Sequence, residues 1–166
     1  MKIREMVRDD WEGVRTIYLD GIATGQATFE TVAPAWELWN SSHLPFARLI
    51  ATSESDGLTQ GWAALSPVSA RSVYAGGVAE VSVYIARDSR GQRLGRQLLM
   101  ALIRESEKNG IWTLQASIFP ENRVSVLLHQ NCGFRIVGVR EGIGKMGAIW
   151  RDTVLMERRS KLAGVD

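Results

Sequence analysis

The sequence has little of the chemistry that metals and disulfides require. It contains one cysteine, Cys132, and two histidines, His43 and His129, in 166 residues. A single cysteine excludes an intrachain disulfide and a multi-cysteine zinc site. Two histidines leave little for a histidine-rich metal centre. We therefore expect chemistry that uses no metal, and we expect Cys132 to be a small residue at the edge of the core rather than a nucleophile.

Long apolar runs and charge of one sign are also missing. No stretch approaches the roughly 20 apolar residues of a membrane span, and charged residues interrupt the start of the chain before any signal-type run. Twenty Lys and Arg against 18 Asp and Glu give a net charge of +2 without a basic tract. Neither nucleic acid nor a membrane is therefore favoured as a partner. We predict a cytoplasmic protein.

What is present is a normal globular composition, with 45% hydrophobic and 23% charged residues. A length near 150 residues favours one domain. We predict a single domain over residues 1–166, with a loose tail from about residue 159.

Hydrophobic periodicity and turn residues predict an α/β (α+β) fold, in which a mixed central β-sheet has helices on both faces. The tryptophans are expected in the core, with Trp11, Trp36 and Trp39 in helices and Trp62 and Trp112 in strands. The predicted strands are 3–6, 48–52, 61–65, 78–85, 111–118, 134–139 and 150–156. The predicted helices begin near residues 10, 34, 94 and 121.

A basic, glycine-containing turn joins strand 78–85 to the most amphipathic helix. Backbone N–H groups at such a turn, together with the helix N-terminus, form an anion site that suits a diphosphate. Arg90, Arg93 and Arg96 could add charge-assisted contacts. The Walker and Rossmann glycine spacings are both absent. An ordinary turn with solvated arginines is an equally good interpretation of this segment alone.

The segment Arg90-Gly91-Gln92-Arg93-Leu94-Gly95 resembles motif A of the GNAT superfamily of N-acetyltransferases. Asn122, Ser125, His129 and Gly133-Phe134 match the downstream motif of that family. Segments 28–31, 80–85 and 145–147 resemble its phosphinothricin and methionine sulfoximine acetyltransferase branch. Three features depart from the pattern: Arg93 stands where glycine is usual, Val81 where the branch often has histidine, and the segment after Lys145 is one residue longer.

The resemblance implies the GNAT fold, acetyl-CoA as co-substrate and a homodimer. It also implies that a backbone N–H near Val83 meets the acetyl oxygen. The cofactor-binding residues that it implies are Val83, Tyr84, Ile85, Arg90, Gly91, Gln92, Arg93, Leu94, Gly95, Arg96, Asn122 and Ser125.

Two side chains are candidates for proton transfer. Glu80 lies in a strand, where partial burial would make its carboxylate a stronger base, and the resemblance places a catalytic or amine-positioning glutamate there. The alternative is a solvated glutamate on the polar strand face. His129 shares a helix face with Asn122 and Ser125. The resemblance implies a general acid to the thiolate at this position, a role that imidazole can serve, and the alternative is a packed histidine. Tyr84 is a weaker candidate, and packing is its more natural role.

A small amino-acid acceptor carries a carboxylate and needs a cation, for which Arg71 and Lys145 are candidates. The other predicted substrate contacts are Phe29, Glu30, Tyr74 and Ser82, and Trp150 is a further candidate. We predict acetyl transfer from acetyl-CoA to the α-amino group of a small amino acid by direct attack in a ternary complex. The alternatives are acetylation of a protein N-terminus, a lysine or a polyamine, and a non-catalytic acyl-CoA sensor.

Overall fold

The computed structural model describes residues 1–165, which form one seven-stranded sheet with four α-helices. Short 3₁₀ turns at Arg8–Asp10 and Arg87–Ser89 precede the first and third helices. In chain order the elements are β1 Lys2–Glu5, α1 Trp11–Ala23, α2 Trp36–Ser42, β2 Leu49–Thr52, β3 Thr59–Pro67, β4 Val78–Ile85, α3 Leu94–Lys108, β5 Thr113–Ile118, α4 Arg123–Gln130, β6 Arg135–Met146 and β7 Ile149–Arg159.

The sheet is mixed, as the sequence predicted. Its strand order is β1-β2-β3-β4-β5-β7-β6. Every neighbouring pair is antiparallel except β4 and β5, which run parallel. No helix in the described part of the chain is long and apolar enough to cross a membrane.

Alternating side chains give the sheet two buried faces. Val81, Leu114 and Met156 point to the face that α3 covers with Leu98 and Leu102. On the opposite face, α1 and α2 pack a smaller cluster rich in tryptophan against Ile50, Trp62 and Ala64. Helix α4 belongs to the α3 side, since Leu128 packs against that core.

Strands β4 and β5 pair over only three residues, with Glu80 opposite Gln115 as the last partners. Both strands continue past that point, β4 to Ile85 and β5 to Ile118, without a ladder between them. The sheet therefore opens into a gap at its one parallel pair. This gap positions the candidate site.

Most predicted elements are confirmed, with differences at their ends. Trp112 was wrongly placed in a strand: β5 begins at Thr113, and the Trp112 indole packs over Gly77, where a Cβ would come within 2.0 Å of the ring. The last two strands are longer than predicted because they form one extended hairpin. Helix α4 begins at Arg123 because Asn122 caps it.

The segment expected to be a loose tail is held against the body of the protein as far as Ala163. The Ser160 hydroxyl donates to Glu107 Oε1 at 2.9 Å, and the Arg159 guanidinium donates to the Ala163 carbonyl at 2.8 Å. Ser160 and Ala163 are buried. Asp166, the last residue of that predicted tail, lies outside the described residues.

Candidate active site

A cavity of about 290 Å³ occupies the gap between β4 and β5. Its lining comes from both strands, from the loop between α1 and α2, from α4 and the turn before it, and from β7. The gap thus brings together residues that lie far apart in the sequence. Of the predicted site residues it collects Phe29, Glu30, Glu80, Ser82, Val83, Tyr84, Asn122, Ser125 and His129.

Glu80 lies at the closed end of the gap and is half-buried. Its Oε2 accepts hydrogen bonds from Gln115 Nε2 at 2.6 Å and from Ser117 Oγ at 3.3 Å. Both donors come from β5, so the parallel pairing itself orients the carboxylate. The solvated-glutamate alternative does not describe this arrangement, because two neighbouring side chains hold the carboxylate at the cavity wall.

His129 is buried, and only one of its ring nitrogens has a partner. Nδ1 lies 2.8 Å from the Ser125 carbonyl, and Nε2 has none. Since a carbonyl only accepts, Nδ1 carries the proton and Nε2 keeps a lone pair. Burial lowers the pKa of His129. The imidazole is therefore neutral at pH 7, and its Nε2 accepts protons rather than donating them.

Tyr84 packs into the aromatic cluster. Its ring stacks on Trp62 with centroids 4.6 Å apart and meets Tyr18 edge-on at 5.1 Å. Burial raises the pKa of its phenol, so the hydroxyl stays protonated. These contacts agree with a packing role, and contact with a cofactor remains a prediction.

Asn122 uses both ends of its amide within the protein. Its Oδ1 caps α4 by accepting from the Ser125 backbone N–H at 3.2 Å. Its Nδ2 donates to the Gln26 carbonyl at 3.1 Å and so ties down the loop between α1 and α2. The predicted contact with a cofactor arm remains a prediction for this residue.

The glycine-containing turn leads into α3 through two residues with left-handed backbone. Gly91 has φ +75° and Arg93 has φ +62°. Glycine adopts this region freely, whereas another residue there costs on the order of 1–2 kcal/mol. That cost explains why the motif usually has glycine where this chain has Arg93. A Cβ at Gly91 would meet nothing within 4 Å, so the surface beside the turn is open.

This turn has the donors that a diphosphate needs. The first-turn N–H groups of α3 have no intrahelical acceptor, and the helix dipole adds positive potential there. The side chains of Arg90, Arg93 and Arg96 are exposed around it. Leu94 instead anchors the helix in the core, and Gly95 allows Leu128 of α4 to approach.

Comparison with known proteins decides the family. Residues 3–155 match the family model described as an acetyltransferase (GNAT) domain. The chain belongs to the GNAT acetyltransferase family. This confirms the resemblance and the fold that the motifs indicated.

Individual relatives of this acetyltransferase are similar over nearly the whole chain. A phosphinothricin N-acetyltransferase of Alcaligenes faecalis is 37% identical over 165 residues, which cover 94% of this chain and 81% of the relative. A crystal structure of a phosphinothricin acetyltransferase from Sinorhizobium meliloti, in complex with acetyl-CoA, superposes with TM-score 0.89 at 26% identity and covers 99% and 91% of the two chains. A ribosomal-protein-alanine N-acetyltransferase from Brucella melitensis superposes with TM-score 0.87 at 28% identity and covers 96% and 100%.

Three of the predicted substrate contacts do not line the cavity of this acetyltransferase: Arg71, Tyr74 and Lys145. Arg71 and Tyr74 belong to the turns before β4, and Arg71 is exposed. The Lys145 ammonium lies over the Trp150 ring, 5.7 Å from its centroid, and Trp150 is itself exposed. Neither of the two predicted cations lines the cavity.

Sequence reasoning missed Arg151, which holds the loop between α1 and α2 in place beside the cavity. Arg151 of β7 donates to the Gly25 carbonyl at 3.1 Å, to Gln26 Oε1 at 3.0 Å and to Glu121 Oε2 at 3.2 Å. Its guanidinium lies 4.0 Å from the centre of the Phe119 ring. Phe119 in turn packs edge-on against Phe29 at 4.8 Å. No local pattern marks Arg151, because its partners lie about 30 and 125 residues away in sequence.

Two further residues were missed at the cavity. Gln115 orients Glu80, as described, and Thr153 lines the cavity from β7. A strand pattern could have placed both on a sheet face, but it could not show which cavity that face borders. Among residues 1–165, no three His, Cys, Asp or Glu side chains are grouped to hold a metal ion.

Proposed function

We propose that this acetyltransferase moves the acetyl group of acetyl-CoA to the α-amino group of a small amino acid of the phosphinothricin or methionine sulfoximine type. The reaction is direct attack in a ternary complex. One observation carries the proposal: the gap between β4 and β5 is lined by Glu80 from one face of the sheet and by His129 from the other. Two reactants can therefore meet in it from opposite sides.

The residues on the α3 side fit acetyl-CoA, which supplies a carbonyl activated as a thioester. The open turn at Gly91 and the first turn of α3 would bind the diphosphate, with Arg90 and Arg93 as charged partners. The β4 backbone beyond Glu80, which has no β5 partner, would orient the pantetheine arm. An N–H near Val83 would donate to the acetyl oxygen as negative charge develops there.

Glu80 would prepare the acceptor. Amino groups with a pKa of about 8–10 are mostly protonated at pH 7 and cannot attack until they lose a proton. The Glu80 carboxylate, oriented by Gln115 and Ser117, would accept that proton directly or through a water.

His129 would handle the second proton. Nitrogen attack leaves a proton on the new amide nitrogen that must depart, while the CoA sulfur needs one in order to leave. Because Nε2 of neutral His129 is an acceptor, we propose that it first takes up a proton released from the attacking nitrogen and then gives it to the sulfur. The predicted general acid would thus be generated during the reaction.

The acceptor class is supported by the size of the cavity and by the named relatives. About 290 Å³ behind a tied-down loop suits an amino acid better than a folded protein surface. The similarity to a ribosomal-protein-alanine N-acetyltransferase favours a protein N-terminus as the second candidate.

An acceptor panel separates these candidates. Thiol release from acetyl-CoA is followed with phosphinothricin, methionine sulfoximine and methionine sulfone, with N-terminal alanine peptides, and with lysine and polyamines. We expect kcat/KM to be highest for the amino-acid analogues. Higher values for peptides would support the second candidate, and acetyl-CoA binding without turnover of any amine would indicate a sensor.

We also propose a homodimer formed through the exposed apolar surface of α4, β6 and β7. Its members are Val124, Leu127, Val139, Ile143 and Trp150, each more than half exposed. Large exposed apolar patches are typical of protein interfaces. Sedimentation should give twice the 18.4 kDa chain mass, and Val139→Glu should dissociate the dimer, whereas Leu58→Glu should not. A wild-type species of 18.4 kDa would contradict this.

A further inference from the structure

Thr153 has a buried hydroxyl with no hydrogen-bond partner at the wall of the cavity. The residue is 3% exposed, and its Oγ1 has no acceptor or donor within reach. Within residues 1–165, four side chains bury a polar atom in this way, and two of them, His129 and Thr153, line this cavity. Buried polar groups are nearly always partnered, so a pair of exceptions in one cavity indicates that a ligand supplies the partner.

Thr153 belongs to the acceptor side. Its neighbour Val154 points into the α3-side core, so Thr153 points to the opposite face. Ser117 lies on that same face, because Ala116 and Ile118 point to the core, and it donates to Glu80. The unpartnered hydroxyl and the proposed base therefore share one face of the sheet.

The position of Thr153 along the gap matches the far end of an acceptor. Glu80 pairs with Gln115 at the closed end, and Val154 pairs with Ile118 at the other end of β5. Three residues of strand separate these pairs, which is roughly 10 Å. The Glu80 side chain, an α-amino group and an extended acceptor side chain together cover that distance.

Two other polar side chains at this wall already have partners. Glu80 accepts from Gln115 and Ser117, and Asn122 accepts from Ser125 and donates to Gln26. Among the described residues that line the cavity from this face, Thr153 is the one whose donor is buried without a partner. Rotation about its Cα–Cβ bond moves the hydroxyl between staggered positions, so it can turn toward a ligand.

We infer that the Thr153 hydroxyl selects the acceptor by donating a hydrogen bond to an oxygen on the acceptor side chain, such as a sulfone, sulfoximine or phosphinate oxygen. The inference rests on the proposed function, since it specifies the acceptor of the same site. A site that holds a buried donor favours the acceptor that satisfies it and disfavours an analogue without the oxygen.

The test compares methionine sulfone with methionine, which lacks the sulfone oxygens. The isosteric variant Thr153→Val should lower kcat/KM for the sulfone about tenfold. For methionine, kcat/KM should change less than twofold, and if methionine is not turned over, its inhibition constant should change less than twofold. Thr153→Ser, which keeps the hydroxyl, should retain the preference for the sulfone. The KM for acetyl-CoA should not move, and the melting temperature of Thr153→Val should not fall, because no internal hydrogen bond is lost.

Equal losses for both acceptors, or none for either, would overturn the inference while leaving the proposed function intact. If wild-type protein releases thiol with neither acceptor, the proposed function fails and the inference fails with it. Should Thr153→Val not fold, Thr153→Ser and Thr153→Ala make the same comparison, and equal acceptor preference in those two variants would overturn the inference.

Discussion

At the scale of single residues, the candidate site depends on how each polar group is held. Glu80 is oriented by two donors from β5, whereas His129 is fixed by one hydrogen bond within its own helix. Thr153 is buried with no partner. The first arrangement orients a carboxylate at the cavity, the second leaves Nε2 of a neutral imidazole without a partner, and the third leaves a buried hydroxyl without an acceptor.

Burial of the two histidines predicts a loss of stability in mild acid. The pKa of His129 and that of His43 are both lowered by desolvation. The unfolded chain, with a histidine pKa of about 6.5, then binds more protons than the folded one. Their contribution is therefore complete above that value and decreases as pH falls below it toward the folded pKa.

Urea unfolding between about pH 7.5 and 5.5 measures this effect. The free energy of unfolding should fall with decreasing pH by up to about 1.4 kcal/mol per unit for each histidine. His129→Asn should reduce the slope and leave the share of His43. A slope equal to that of the wild type would show that His129 does not titrate below its unfolded value.

At the scale of elements, local sequence patterns were enough to predict most of the helices and strands. Apolar spacing predicts α3 because its buried stripe is long and regular, and alternation predicts β4 with its bounds unchanged. Predicted ends were less accurate where a contact distant in sequence decides them. Packing of Trp112 on Gly77 is such a case.

The loop between α1 and α2 shows the same limit at the candidate site. Motif residues such as Glu80, Asn122 and His129 could be found in the sequence, and the cavity contains them. Arg151 holds this loop in place, and its hydrogen-bond partners lie in the turn before α4 and in the loop itself. Only the folded sheet brings those segments together, so neither Arg151 nor Thr153 could be predicted.

At the scale of the whole molecule, one irregularity of the sheet produces the site. Six strand pairs join the seven strands, and the single parallel pair is the one that separates after three residues. Helices pack on both faces of the sheet, and the gap opens toward both. Exposed arginines lie at the start of α3 on one side, and Glu80 and Thr153 line the gap from the other. The scarcity of cysteine and histidine agrees with the proposed direct transfer, which needs two oriented reactants and proton transfer but no cysteine nucleophile.

The most direct test of this account measures thiol release with methionine sulfone in wild type and Glu80→Gln, from pH 7 to pH 9. General-base catalysis contributes about 10²–10⁴-fold, so the variant should lose at least about 100-fold in kcat/KM at pH 7. That loss should shrink toward pH 9, where solution supplies the free amine. The KM for acetyl-CoA should stay unchanged. The control Glu12→Gln, a change at an exposed side chain of α1, should behave as wild type. An unchanged kcat/KM in Glu80→Gln across this pH range would contradict the account.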